Sequence, residues 1–98
     1  MQIVSCPRCG RNGFDVHAYY VRGVVYLAKQ DYIQAIADFT QAIRLNPNDA
    51  AAYHSRGSAY YNKSDYDRAI ADLTQALKLN PNDANAKKNL EMAQRRGQ

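Results

Sequence analysis

Residues 16–49, VHAYYVRGVVYLAKQDYIQAIADFTQAIRLNPND, run without a gap into residues 50–83, AAAYHSRGSAYYNKSDYDRAIADLTQALKLNPND. Each stretch is 34 residues long, and the two agree at 20 positions. The agreement keeps phase throughout: Tyr19 with Tyr53, Gly23 with Gly57, Tyr26 with Tyr60, and Asp31-Tyr32 with Asp65-Tyr66. Ala35-Ile36-Ala37-Asp38 returns as Ala69-Ile70-Ala71-Asp72, and Leu45-Asn46-Pro47-Asn48-Asp49 as Leu79-Asn80-Pro81-Asn82-Asp83. A tandem repeat of this period denotes a stacked array in which neighbouring units bury one another's apolar faces.

Inside each repeat the apolar residues recur at helical spacing. A first helix is expected from about Val16 to Lys29, with Asp15 as its cap and Ala18, Tyr19, Val25 and Tyr26 facing inward. Gln30-Asp31 turns the chain into a second helix to Leu45 that presents Ile36, Phe39, Ala42, Ile43 and Leu45. Asn46-Pro47 stops it, since proline lacks the donor that would extend the helix and pushes its predecessor out of the α region. Asn48-Asp49 then caps the next helix. The second repeat reads alike, with helices over 50–62 and 66–79, and a fifth helix over 84–96 lays Ala86, Leu90 and Ala93 on one stripe. The expected fold is all-α: an α-solenoid of five helices, with repeats 16–49 and 50–83, a capping helix over 84–96 and an irregular segment over 1–14. Gly23 and Gly57 sit mid-helix and are expected to face Ala35 and Ala69, small against small. Asp38 and Asp72 read as solvated features of the repeat.

These landmarks resemble tetratricopeptide repeats. Tyr19, Arg22-Gly23, Tyr26, Ala35, Phe39 and Pro47 stand at the signature positions, and so do Tyr53, Arg56-Gly57, Tyr60, Ala69, Leu73 and Pro81. Arginine replaces the usual leucine at 22 and 56, where its stem is expected to lie on apolar surface with its head in water. The resemblance implies a scaffold for protein–protein contact with a concave groove lined by the first helices of the pairs. By position the groove would hold His17, Tyr20, Val24 and Leu27, then Ala51, His54, Ser58, Tyr61 and Asn62, then Asn85, Lys88, Met92 and Arg95. One subfamily clamps the acidic tails of heat-shock chaperones with basic and amide side chains. The matching positions here are Tyr20, Val24, Ser55, Asn85 and Asn89, which disfavours that ligand. The expected occupant is a peptide or helix with apolar anchors and an acidic residue. The competing reading has Tyr20, Val24 and Leu27 packing on the amino-terminal segment.

The net charge of +4 is divided as +2 over residues 1–48, −1 over 49–83 and +3 over 84–98. The excess sits at the ends with no continuous basic face, so nucleic acid is an unlikely partner. No apolar run is long enough to span a membrane. The five residues before Cys6 are too few for a signal peptide, and a cytoplasmic protein is the default. No phosphate loop, nucleophile–base pair or paired carboxylates appear, so no enzyme is expected. Two repeats are fewer than such arrays usually need, and Val24, Val25, Leu27 and Ile33 leave apolar surface at the start of the stack. Self-association is therefore expected, by stacking of amino-terminal ends or exchange of helices.

Cys6-Pro7-Arg8-Cys9-Gly10 has the spacing of half a zinc site, and tetrahedral zinc takes four ligands. Three readings stand: zinc held by Cys6 and Cys9 with a second chain's pair or with His17; a segment without metal; or a redox dithiol. The first and third would make the chain a metal- or redox-responsive regulator. Elemental analysis separates them. About half an equivalent of zinc per chain marks a site shared between two chains, and about one marks Cys6, Cys9 and His17. Neither metal nor a reversible thiol would leave the regulator reading without support.

Overall fold

Aspartate sets the start of four of the five helices. Its carboxylate accepts from the backbone amide three residues on, an amide with no partner inside the helix. Asp31 receives Gln34 N, Asp49 receives Ala52 N, Asp65 receives Arg68 N and Asp83 receives Ala86 N. The computed structural model describes residues 16–97. They form α1 (Val16–Ala28), α2 (Tyr32–Leu45), α3 (Ala50–Asn62), α4 (Tyr66–Leu79) and α5 (Ala84–Arg96). The expected helices are thus present within a residue of their expected bounds, and no strand occurs among the described residues. Asp15, Cys6 and Cys9 lie outside them.

The turn inside each hairpin is closed the same way. Gln30 and Ser64 take left-handed backbone, at φ 65° and 67°. Asp31 N then reaches Tyr26 O at 2.9 Å while Gln30 N reaches Leu27 O at 3.0 Å, and Asp65 and Ser64 repeat the pattern on Tyr60 and Tyr61. This paired closure satisfies the last carbonyls of α1 and α3 and aims the chain back along the hairpin.

Consecutive helices pack as neighbours, with α3 lying against both α2 and α4. Ala35, Phe39, Ala42, Ala52, Ala59, Ala69, Leu73, Ala76, Ala86 and Ala93 are fully buried. Leu73, Ala69, Ala86 and Ala93 form one cluster, with Tyr60, Tyr61, Ile70, Leu77 and Leu90 packed round it. Val25 and Leu45, expected inside, are exposed. Val25 faces away from α2, and the described chain has no earlier helix to cover it.

The glycines meet different partners from those expected. A Cβ on Gly23 would stand 2.7 Å from the Phe39 ring, and one on Gly57 would stand 2.9 Å from Leu73 Cγ. The missing side chain makes room for the largest fully buried side chain of the facing helix, not for a small one. Where Phe39 gives way to Leu73 the contact persists with a smaller group.

Asp38 and Asp72 are not solvated; they are the two buried charged residues among those described. Each takes a two-pronged bond from the arginine of the first helix in its hairpin. Arg22 reaches Asp38 at 2.9 and 2.8 Å, and Arg56 reaches Asp72 at 2.8 Å through both Nε and Nη2. The arginine heads therefore do not simply reach for water: they neutralise a carboxylate that burial would otherwise penalise heavily. The hydrogen-bonded carboxylate raises each arginine above its ordinary pKa, against the opposing effect of burial. Arg56 also sits between Tyr53 and Tyr60, 5.9 Å from each ring, and its Nη1 donates to Thr40 Oγ1 of the previous hairpin at 3.2 Å.

Arg56 is only 19% exposed, whereas Arg22 is 50% exposed. Arg56→Ala strands Asp72 in the interior and is expected to cost about 3–5 kcal/mol. Arg22→Ala opens Asp38 to water and is expected to cost clearly less. Urea unfolding of both variants checks the order. Equal midpoints, or a lower midpoint for Arg22→Ala, would contradict it.

Candidate functional site

The odd-numbered helices α1, α3 and α5 lie side by side, α3 touching both of the others. Their shared surface carries the side chains that the sequence assigned to a groove. The same helix positions change character from one repeat to the next. Val24, Leu27 and Ala28 on α1 become Ser58, Tyr61 and Asn62 on α3 in the 34-residue register. The amino-terminal part of the surface is thus apolar, with Val24 exposed and Leu27 half-buried. The next part is polar and uncharged.

A cavity of about 230 Å³ opens between α3 and α5, lined by Ser58, Tyr61, Asn62, Asn89 and Met92. It offers one aliphatic hydroxyl, one phenol, two amides and a thioether. The amides and hydroxyls can donate and accept in several directions, and the thioether and ring supply adaptable apolar contact. Lys88 and Arg95 stand exposed elsewhere on α5, and His17, Ala51 and Asn85 are exposed without lining the cavity.

His54 has a more constrained place than a groove-lining side chain. Its Nδ1 lies 3.1 Å from Asp83 Oδ2 and its Nε2 3.1 Å from Asn89 Nδ2. Each ring nitrogen thus faces one polar group, so the imidazole is held from both sides. Asp83 Oδ1 meanwhile caps α5 through Ala86 N at 3.1 Å. His54 is therefore a strut between α3 and the start of α5, and it fixes the amide of Asn89 at the cavity wall. Tyr20 is likewise partly structural. Its ring lies 5.8 Å from Phe39, and its hydroxyl accepts from Ser55 Oγ at 3.4 Å, tying α1 to α3. Tyr61 meets Tyr66 edge to face at 5.5 Å.

Of the residues assigned from sequence, Ser58, Tyr61, Asn62 and Met92 come together at the cavity. Asn89 joins them, although the sequence reading considered it only as a position lacking a basic residue. The signal was present in the register, because Asn89 is the counterpart of Ser55, which bridges the corresponding helices one repeat earlier. Among the described residues no cluster of three or more His, Cys, Asp or Glu side chains could hold a metal ion. No described helix is long and apolar enough to cross a membrane.

The chain matches the tetratricopeptide-repeat family over residues 10–50 and 20–84. No curated protein matches it by sequence. Among solved structures, it is similar to the second tetratricopeptide domain of human RPAP3 in complex with an HSP70 peptide, at 29% identity and TM-score 0.81, covering 85% of this chain and 69% of that one. The Arabidopsis OM64 domain is 30% identical at TM-score 0.82, with 86% and 69% covered. The TPR2B domain of yeast Sti1, in complex with pHsp70, is 29% identical at TM-score 0.79, with 81% and 63% covered.

Proposed function

The chain belongs to the tetratricopeptide-repeat family, and from that premise we propose that it is an adaptor without catalytic chemistry of its own. It holds a short peptide or helix of another protein across α1, α3 and α5. The observation that carries this reading is the uncharged cavity between α3 and α5, set beside the exposed apolar side chains of α1. A ligand suited to both has an apolar anchor over Val24 and Leu27 and an amide or hydroxyl side chain in the cavity. An acidic residue further along would meet Lys88 and Arg95.

The RPAP3 domain is in complex with the HSP70 peptide SGPTIEEVD, which ends in carboxylates. This chain has Tyr20, Val24, Ser55, Asn85 and Asn89 at the positions of the charged clamp, and none of them is a cation. Desolvating a carboxylate without a charged partner is costly, so the two ligand preferences differ.

Self-association belongs to the same reading through the other end of the molecule. Val21 and Val25 are 45% and 46% exposed on α1. Stacking of amino-terminal ends would cover this exposed apolar surface of α1 with that of a second copy.

Selection of peptides from a displayed library on the full chain, followed by anisotropy titration, tests the groove. Val24→Glu and Asn62→Asp are each expected to weaken the selected peptides about tenfold, which is about 1.4 kcal/mol, with thermal unfolding unchanged. SGPTIEEVD is expected to bind at least about tenfold more weakly than the selected peptides. Selected ligands indifferent to both substitutions would contradict the proposal.

A further inference from the structure

Asn89 and Met92 line the cavity from α5, and the stripe they define continues past it. At about 100° per residue, Arg96 lies about 20° round α5 from Asn89, whereas Lys88 and Arg95 lie about 100° and about 120° away. Arg96 also follows Met92 by four positions, the spacing at which helical side chains are neighbours. In the 34-residue register it is the counterpart of Asn62, which lines the same cavity from α3. The cavity thus ends, one turn along α5, at a cation.

That cation is held in place. Tyr61, itself a cavity residue, meets Tyr66 edge to face with ring centroids 5.5 Å apart. The phenols of Tyr61 and Tyr66 raise Arg96 above its ordinary pKa. Tyr66 is lowered in turn by Ser64, to which it donates at 3.5 Å, and by Arg96. The last turn of α5 is seated on the start of α4: a Cβ on Gly97 would lie 3.3 Å from Tyr66 Cβ and 3.9 Å from Ile70 Cδ1.

Its partners are neutral, which sets it apart from the other engaged arginines. Arg22, Arg56 and Arg68 each face an aspartate. Among the described residues no carboxylate forms an ion pair with Arg96, and its side chain is exposed. A guanidinium presents five donors in a planar fork. Two hydroxyls leave much of that fork open and its charge uncompensated, and the group that matches both is a carboxylate.

We infer that Arg96 is a specificity-determining residue of the groove, receiving the carboxylate of an acidic ligand residue close to the one seated between α3 and α5. The inference rests on the peptide-binding reading above and adds the chemistry of the neighbouring ligand position. One helical turn is about 5.4 Å and an extended chain advances about 3.3 Å per residue. The acidic residue therefore belongs within about two positions of the one in the cavity. Arg96 lies outside the positions of the charged clamp, which here are Tyr20, Val24, Ser55, Asn85 and Asn89.

Peptides selected on the full chain from a displayed library, with synthetic variants of them, test this by anisotropy titration. The selected peptides are expected to carry Asp or Glu within about two residues of an amide or hydroxyl side chain. Changing that acid to its amide is expected to weaken binding about tenfold, and Arg96→Gln to do the same. Both changes together are expected to weaken it no further than either alone, because they remove one shared interaction. Arg96→Glu is expected to recover affinity for a peptide with lysine in place of the acid. Lys88→Gln and Arg95→Gln, turned away from the cavity, are expected to act less than Arg96→Gln, and helical circular dichroism is expected to be unchanged in every variant. Additive effects of the peptide and Arg96 changes would overturn the inference. So would Arg96→Gln without effect on peptides that Val24→Glu still weakens, a result that leaves the adaptor reading standing. Selection of no peptide at all would overturn both.

Discussion

How near each helix can come to the one before it determines the rest of this structure. At both junctions the approach is set by a pair of alanines seven residues apart, Ala52 with Ala59 and Ala86 with Ala93, all fully buried. A small side chain at each point lets the backbones approach, and the large residues then fill the space on the opposite side of the helix. Phe39 and Leu73 reach into the gaps left by Gly23 and Gly57. α3 therefore has a small face toward its predecessor and a notch toward its partner. Larger residues in either place would splay the array, because interiors packed this closely accommodate added volume poorly.

The buried arginine–aspartate forks add direction to that packing. Apolar contact alone tolerates sliding by a turn, whereas a two-pronged bond between guanidinium and carboxylate tolerates little. Arg56 joins three helices at once through Asp72 on α4 and Thr40 on α2. With the hairpins so registered, α1, α3 and α5 present a continuous surface. The strut from His54 to Asp83 and Asn89 holds α5 at a fixed rotation. The cavity beside it is a product of this bracing, and its uncharged lining separates it chemically from the charged clamp of the related subfamily.

Helix bounds and caps were readable because they depend on local chemistry. Asp31, Asp49, Asp65 and Asp83 need only the amides three residues on, and Pro47 and Pro81 act on the adjacent chain. Burial depended on partners distant in sequence. Asp38 looked solvated until Arg22, sixteen residues earlier, was seen to face it. Glycine's neighbour was misjudged for a similar reason: Ala35 and Phe39 lie one turn apart on α2, and only the tilt between helices selects between them. Most of the groove followed from register, including Ser58, Tyr61 and Asn62. The engagement of His54 by α5 did not, since it requires the spacing of two helices 29 or more residues apart.

If α3 is the joint of the stack, its backbone should be the last to open. Native-state hydrogen exchange measures this directly, because amides in the most enclosed elements exchange only through the largest openings. The expected result is slowest exchange at α3 and α4, around Ala52, Ala59 and Leu73, at least about tenfold slower than at α1. Protection that peaks in α1, or that runs level through all five helices, would contradict an array held together at its middle.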